Sequence, residues 1–234
     1  MIDQTFIQKI IDLAPIQQFE IGGRKFTDSK IYPILQPVTL GLECHTLTGL
    51  VDFYDALPEA DQNRIMFHVE DFNRVSIVSE IFGSEKQRET FITATAYSQE
   101  SPFNKYHDHE DFMIKILSCF VQNDTTAKVL KIVGNLKSEA GAHYSDDGLT
   151  QTVTAKTGIT KVENIDLPNP IPLRPYRTFL DIEQPESSFI LRLKQRDGIS
   201  AALFEADGAA WKNKAIASIK SYIEGRKIQA KVIA

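Results

Sequence analysis

The stretch that decides the fold runs from Ile65 to Tyr97, through IMFHVE (65–70), RVSIVSEIF (74–82) and ETFITATAY (89–97). Each segment is rich in β-branched and aromatic residues, and turn-like breaks separate them, which predicts an antiparallel meander. Two helical segments follow. HEDFMIKILSCFVQN (about 109–122) is apolar nearly all round, which predicts a buried helix. Asp124 with Thr125 reads as the N-cap of the second, about 125–139, with Val129, Ile132, Val133 and Leu136 on one face.

Upstream, Phe6, Ile7, Ile10, Ile11 and Leu13 recur at helical spacing and stop before Pro15, predicting an amphipathic helix over 3–14. FEI and RKF flank Gly22-Gly23, a hairpin signal because both turn positions need positive φ. VTLGLE (38–43) reads as a strand and TLTGLVDFYDAL (46–57) as a helix ending at Pro58. Downstream, SDDGLTQTVTAKTG alternates like a strand. Prolines 168, 170, 172 and 175 then enforce extended chain. SSFILRLKQ (187–195) and ISAALFE (199–205) bracket Asp197-Gly198 as a second hairpin. Asp207 reads as the cap of a last helix, about 208–225, with Trp211, Ala215, Ile219 and Ile223 on one stripe. The tail KIQAKVIA is β-prone and has no partner in the local sequence, so it is expected to pair with another copy.

Strands grouped with strands and helices with helices indicate α+β, with antiparallel sheets, packed helices and mixed order. The expected organisation is an N-terminal α+β region over 1–145 and a C-terminal region of antiparallel strands plus the final helix over 146–234. These form two closely packed domains or one large one.

The chain has 234 residues, 42% hydrophobic and 24% charged, with 14 Phe and one Trp, enough to bury a sizeable core without metal or disulfide. Cys44 and Cys119 are its only cysteines and fit no metal spacing. Cys44 beside His45 is no nucleophile–base pair, since neighbours on a strand face opposite sides. A reducing cytoplasm is the expected location. The first residues lack the basic and apolar regions of a signal peptide, and no stretch approaches the ~20 apolar residues of a membrane span. The net charge of −5 hides an asymmetry. Residues 1–150 carry 13 Lys+Arg against 22 Asp+Glu, whereas residues 151–234 carry 13 against 9. Such halves attract, within a chain or between copies.

Two clusters carry possible chemistry. His107, His109 and Glu110, with Asp108 and Asp111, are five potential metal ligands. The run opens a helix, so a capped, solvated helix start is the preferred reading, and no cofactor is expected. Arg174, Tyr176 and Arg177 lie on a proline-stiffened segment. Arg192 and Lys194 alternate on one strand face with Arg196, a pattern suited to phosphates and stacked bases. The familiar hydrolase, zinc-protease, dinucleotide and P-loop motifs are absent, so no catalytic residues are assigned and a non-enzymatic role is favoured.

The phrases RETFITATAYSQESPF, FVQNDTTAKVLKIVGNLKSEA, SDDGLTQTVTAKTGI, LPNPIPLRPYRTF, IEQPESSFILRL and ALFEADGAAWKNKAIASIKSYI resemble, in that order, an uncharacterised phage and prophage family called YfdQ-like, a domain of unknown function. The resemblance covers roughly residues 65–225. It implies a phage- or prophage-encoded protein of the host cytoplasm and assigns no catalytic residue. The expected function is therefore accessory, through homo-oligomeric assembly or sequestration. The alternatives are single-stranded nucleic-acid binding in recombination or replication, and a metal-dependent enzyme at the histidine cluster.

Overall fold

The computed structural model describes residues 3–13, 18–21, 24–27, 40–83, 86–97, 102–134, 144–146, 151–157, 161–164, 170–195, 199–226 and 228–234. The chain forms two compact units, residues 1–38 and 39–234.

In the first unit, helix α1 (Gln4–Leu13) precedes a hairpin of β1 (Gln18–Ile21) and β2 (Arg24–Thr27). The strands pair antiparallel from Ile21↔Arg24 to Gln18↔Thr27, and Phe19 stacks on Phe26 across them at 6.2 Å. The predicted glycine turn lies outside the described residues.

The second unit is α+β, as expected. Its elements begin with β3 (Leu42–Cys44), α2 (Leu47–Ala56), α3 (Glu59–Gln62), β4 (Ile65–Asp71), β5 (Arg74–Ser79) and β6 (Thr90–Thr95). Next come β7 (His107–Asp108), α4 (His109–Cys119), α5 (Asp124–Gly134), β8 (Tyr144–Asp146), β9 (Gln151–Thr157) and β10 (Lys161–Asn164). The chain closes with β11 (Ile171–Leu173), β12 (Ser187–Gln195), β13 (Ile199–Glu205), α6 (Trp211–Glu224) and β14 (Lys231–Ile233).

The predicted meander is the centre of a five-stranded sheet in the order β14-β4-β5-β6-β3. Its three middle strands run antiparallel, and an outer strand lies parallel on each side. Alternation along β4 buries Ile65, Phe67 and Val69 on the face that meets α2 and α6. There Leu47, Leu50 and Tyr54 of α2 join Ile219 and Ile223 of α6 in one core. Gly41 lets the chain into β3 pass against the neighbouring strand, since a Cβ there would lie 2.9 Å from the Thr90 carbonyl oxygen.

A second, wholly antiparallel sheet has the order β11-β12-β13-β7. Phe189, Leu191 and Leu193 of β12 face Phe112 and Ile116 of α4 and Val129 and Val133 of α5. A third sheet, β10-β9-β8, is built wholly from residues 144–164. Both larger sheets draw on either side of residue 145: β14 completes the sheet of β4, and β7 that of β13.

Four expectations need correction. The tail does not await another copy: β14 pairs with β4 of its own chain, Val232 opposite Phe67. Ile228, Ala230 and Val232 pack on the first core, which supplies the partner the local sequence lacked. Helix α4 stops at Cys119 and is not apolar all round, with Ile114 and Leu117 each 55% exposed. The cap of α5 is Asn123, not Asp124: its side chain accepts the Thr126 N–H at 2.9 Å while the Thr126 hydroxyl oxygen accepts the Asn123 N–H at 2.7 Å. Asp207 caps the turn before α6, accepting the Ala209 N–H at 3.1 Å where Gly208 and Ala209 take φ of 59° and 63°.

Candidate functional site

The proline-stiffened segment after β11 is a strap across the second unit. Pro175 bridges to Phe120, the Arg174 carbonyl accepts the Val121 N–H and Cys119 accepts the Tyr176 N–H, both at 2.9 Å. The Thr178 hydroxyl donates to the Phe72 carbonyl at the β4–β5 turn. Phe179 then enters the first core. Gln184 closes the strap on itself, accepting the N–H groups of Arg177 and Thr178 at 3.0 and 3.3 Å and donating to Phe179.

These placements decide what the predicted cations do. Arg174 pairs with Glu183 and, at 3.6 Å, with Glu186. Arg177 is mostly buried: it donates to Glu205 at 2.5 Å and to Ser187, whose hydroxyl donates to Asp207 at 2.5 Å. Its guanidinium carbon stands 3.6 Å from the Trp211 ring centre. Burial pushes the Arg177 guanidinium below its ordinary value, and the hydrogen bond and charge of Glu205, with Asp207, pull it back. Both arginines are therefore engaged within the fold, and Tyr176 is half-buried beside them.

Arg192 and Lys194 sit elsewhere, on the face of the second sheet opposite its helices, where Arg192 lies across from Ala202 and Lys194 from Ser200. Lys194 Nζ stands 3.8 Å over the Tyr106 ring, which meets Phe204 edge-on at 5.9 Å. Two cations and two half-exposed aromatics thus share one sheet face. The sequence marked the cations but not Tyr106 or Phe204, whose approach depends on the β7–β13 pairing.

Asp181, missed by the sequence reading, leaves the strap to cap α2. It accepts the N–H groups of Leu47 and Thr48 at 3.1 and 3.0 Å and the Thr48 hydroxyl at 2.6 Å. Burial raises the tendency of Asp181 to take up a proton, but the Thr48 and Leu47 hydrogen bonds outweigh it and hold the carboxyl below its ordinary value. Because the one Thr48 hydroxyl proton goes to Asp181, the Tyr222 hydroxyl, 3.0 Å away, donates to Thr48 and accepts from Arg226 at 2.7 Å. This chain ends in a cleft of about 390 Å³ lined by Val51, Asp52, Asp55, Gly225 and Arg226.

The histidine cluster does not converge. His107 is buried, with Nδ1 2.5 Å from Asp111 and Nε2 3.1 Å from the Pro102 carbonyl. His109 reaches the Val133 carbonyl at 2.9 Å and so ties α4 to the end of α5. Asp108 caps α4 by accepting the Asp111 N–H at 2.8 Å, and Glu110 lies in the first turn. Among the described residues no three His, Cys, Asp or Glu side chains are grouped to hold a metal ion. The Cys44 thiol is pushed up by burial, and His45 is turned to the Thr95 carbonyl at 2.8 Å and stacked on Tyr97 at 4.2 Å. No helix among the described residues is long and apolar enough to cross a membrane.

The first unit presents apolar surface. Phe6, Ile7, Ile10 and Leu13 of α1 are 56, 50, 54 and 82% exposed, and Phe19, Ile21 and Phe26 of the hairpin are exposed as well. No protein-family model, curated protein or solved structure matches the chain.

Proposed function

We propose that the protein is a non-enzymatic accessory that works by self-association, and that its first 38 residues are the contact element. The observation that carries this is the exposed stripe Phe6, Ile10 and Leu13 on α1. Its four-then-three spacing is that of the seam between paired helices, each of which covers the other's apolar face. A unit below about 40 residues does not bury a core of its own without a disulfide, a metal or a second copy. Residues 1–38 contain no cysteine. A second copy of the same stripe is the self-complementary answer. The phage or prophage setting in a host cytoplasm rests on the resemblance of the phrases quoted above.

Light scattering of the full chain at micromolar concentration tests it. The expected result is a defined oligomer that the double variant Phe6→Glu, Ile10→Glu returns to monomer with the melting of residues 39–234 unchanged. A monomeric wild type, or a double variant of unchanged mass, overturns the reading.

A second reading, single-stranded nucleic-acid binding, is favoured by one contact, Lys194 over Tyr106 beside Phe204. It now rests on Arg192 and Lys194, since Arg174 and Arg177 are held by carboxylates. Anisotropy of a labelled oligonucleotide would show binding whose log affinity falls by about 0.7 per phosphate neutralised for each tenfold rise in salt. Absence of binding at low salt ends it.

A further inference from the structure

We infer that a single water molecule is held in the interior between Trp211 and Arg177, accepting hydrogen bonds from the indole Nε1–H and the guanidinium Nε–H. Trp211 is only 6% exposed, and both of these nitrogens are shut off from solvent with no partner among the described residues. A buried donor left unmade costs about 1–3 kcal/mol, so two side by side in an otherwise well-bonded cluster call for an acceptor. The two are close. The Arg177 guanidinium carbon is 3.6 Å from the Trp211 ring centre, Nε is bonded to that carbon and Nε1 belongs to the indole.

The chemistry of the surroundings selects water over an anion. The positive charge of Arg177 is already met by Glu205 at 2.5 Å, and Asp207 accepts from Ser187, which Arg177 also contacts. A second negative group would sit against two carboxylates. Water is neutral, accepts from both nitrogens and has two protons to return to the Glu205 and Asp207 oxygens, the two to four partners a buried water takes. The other sides of the site are aromatic: Phe72 meets Trp211 edge-on at 4.7 Å, and the guanidinium carbon is 6.0 Å from the Phe103 ring centre.

Trp211 is the only tryptophan in the chain, so its indole proton gives one unambiguous NMR signal. Water-selective NOE and ROE spectra of the full chain carrying isotope-labelled tryptophan test the site. The expected result is a water–indole cross-peak of opposite sign in the two experiments, the signature of a water resident for longer than molecular tumbling. No cross-peak means a dry indole and overturns the inference. A cross-peak of the same sign in both means exchange with bulk solvent and overturns it too.

Discussion

Asp181 accepts both the backbone N–H and the hydroxyl of Thr48, at 3.0 and 2.6 Å, across 133 residues of chain. This puts a carboxylate at the positive end of α2, where the helix dipole favours it, alongside the local Thr46 cap on the Gly49 N–H. The same strap bridges to Phe120 of the second core through Pro175 and sends Phe179 into the first. The segment singled out for its arginines and aromatics is therefore a clasp that fastens both cores.

Asp181→Ala removes this cap and leaves the N–H groups of Leu47 and Thr48 to find water. The expected cost is about 1 kcal/mol, read as a lower urea midpoint with an unchanged m value. An unchanged midpoint would mean that the Thr46 cap alone holds the start of α2.

Arg177→Ala should cost more, about 3 kcal/mol, because it strands the Glu205 carboxylate in a mostly buried site and removes the guanidinium stacked on Trp211. Arg177→Lys should recover little. One ammonium does not serve Glu205 and Ser187 while lying flat on an indole. Thermal and urea unfolding of both variants measures this, and full stability of the lysine variant would contradict it.

The meander, both hairpins and the helical stripes were legible because periodicity reports which face an element buries. Partnerships were not. Asp181 and Thr48 carry no mutual signal in the sequence, and neither do Val232 and Phe67, because chain separation hides them until the sheet forms. Helix α4 misled for a related reason: Ile114 and Leu117 fill its apolar circumference without being covered. At the candidate sites, composition found Arg174 and Arg177 but not the carboxylates that hold them, Glu183 and Glu205, which only the fold brings alongside.

Truncation after Lys227 removes β14, the Gln229 N–H bond to the Tyr54 hydroxyl at 3.1 Å and the packing of Ile228 and Val232 on the first core. The expected loss is about 1–3 kcal/mol, the scale of two partly buried aliphatic side chains and a short ladder. Light scattering should give the same subunit number as the full chain, since the tail spends its hydrogen bonds within its own sheet. A change in subunit number would restore the tail to the assembly contact.

Asp111 gives the fold an acid-side dependence. The His107 hydrogen bond, with a smaller contribution from Lys115, holds its carboxyl below the ordinary value against the opposing effect of burial. Between the two values the unfolded chain binds the proton and the folded chain does not, so folding stability rises with pH there. The contribution is complete above the unfolded value of about 3.9 and disappears as pH falls through the lower folded one. Asp111→Asn carries no such group. Its stability should lie below wild type near neutrality, and the gap should narrow as the medium is acidified. Asp181→Asn should behave with the same sign, because that carboxyl is lowered too. Urea unfolding of wild type and both variants across the acid range checks this. Curves that stay parallel down to the lowest pH would show that neither hydrogen-bond set distinguishes the charged carboxylate from the neutral amide.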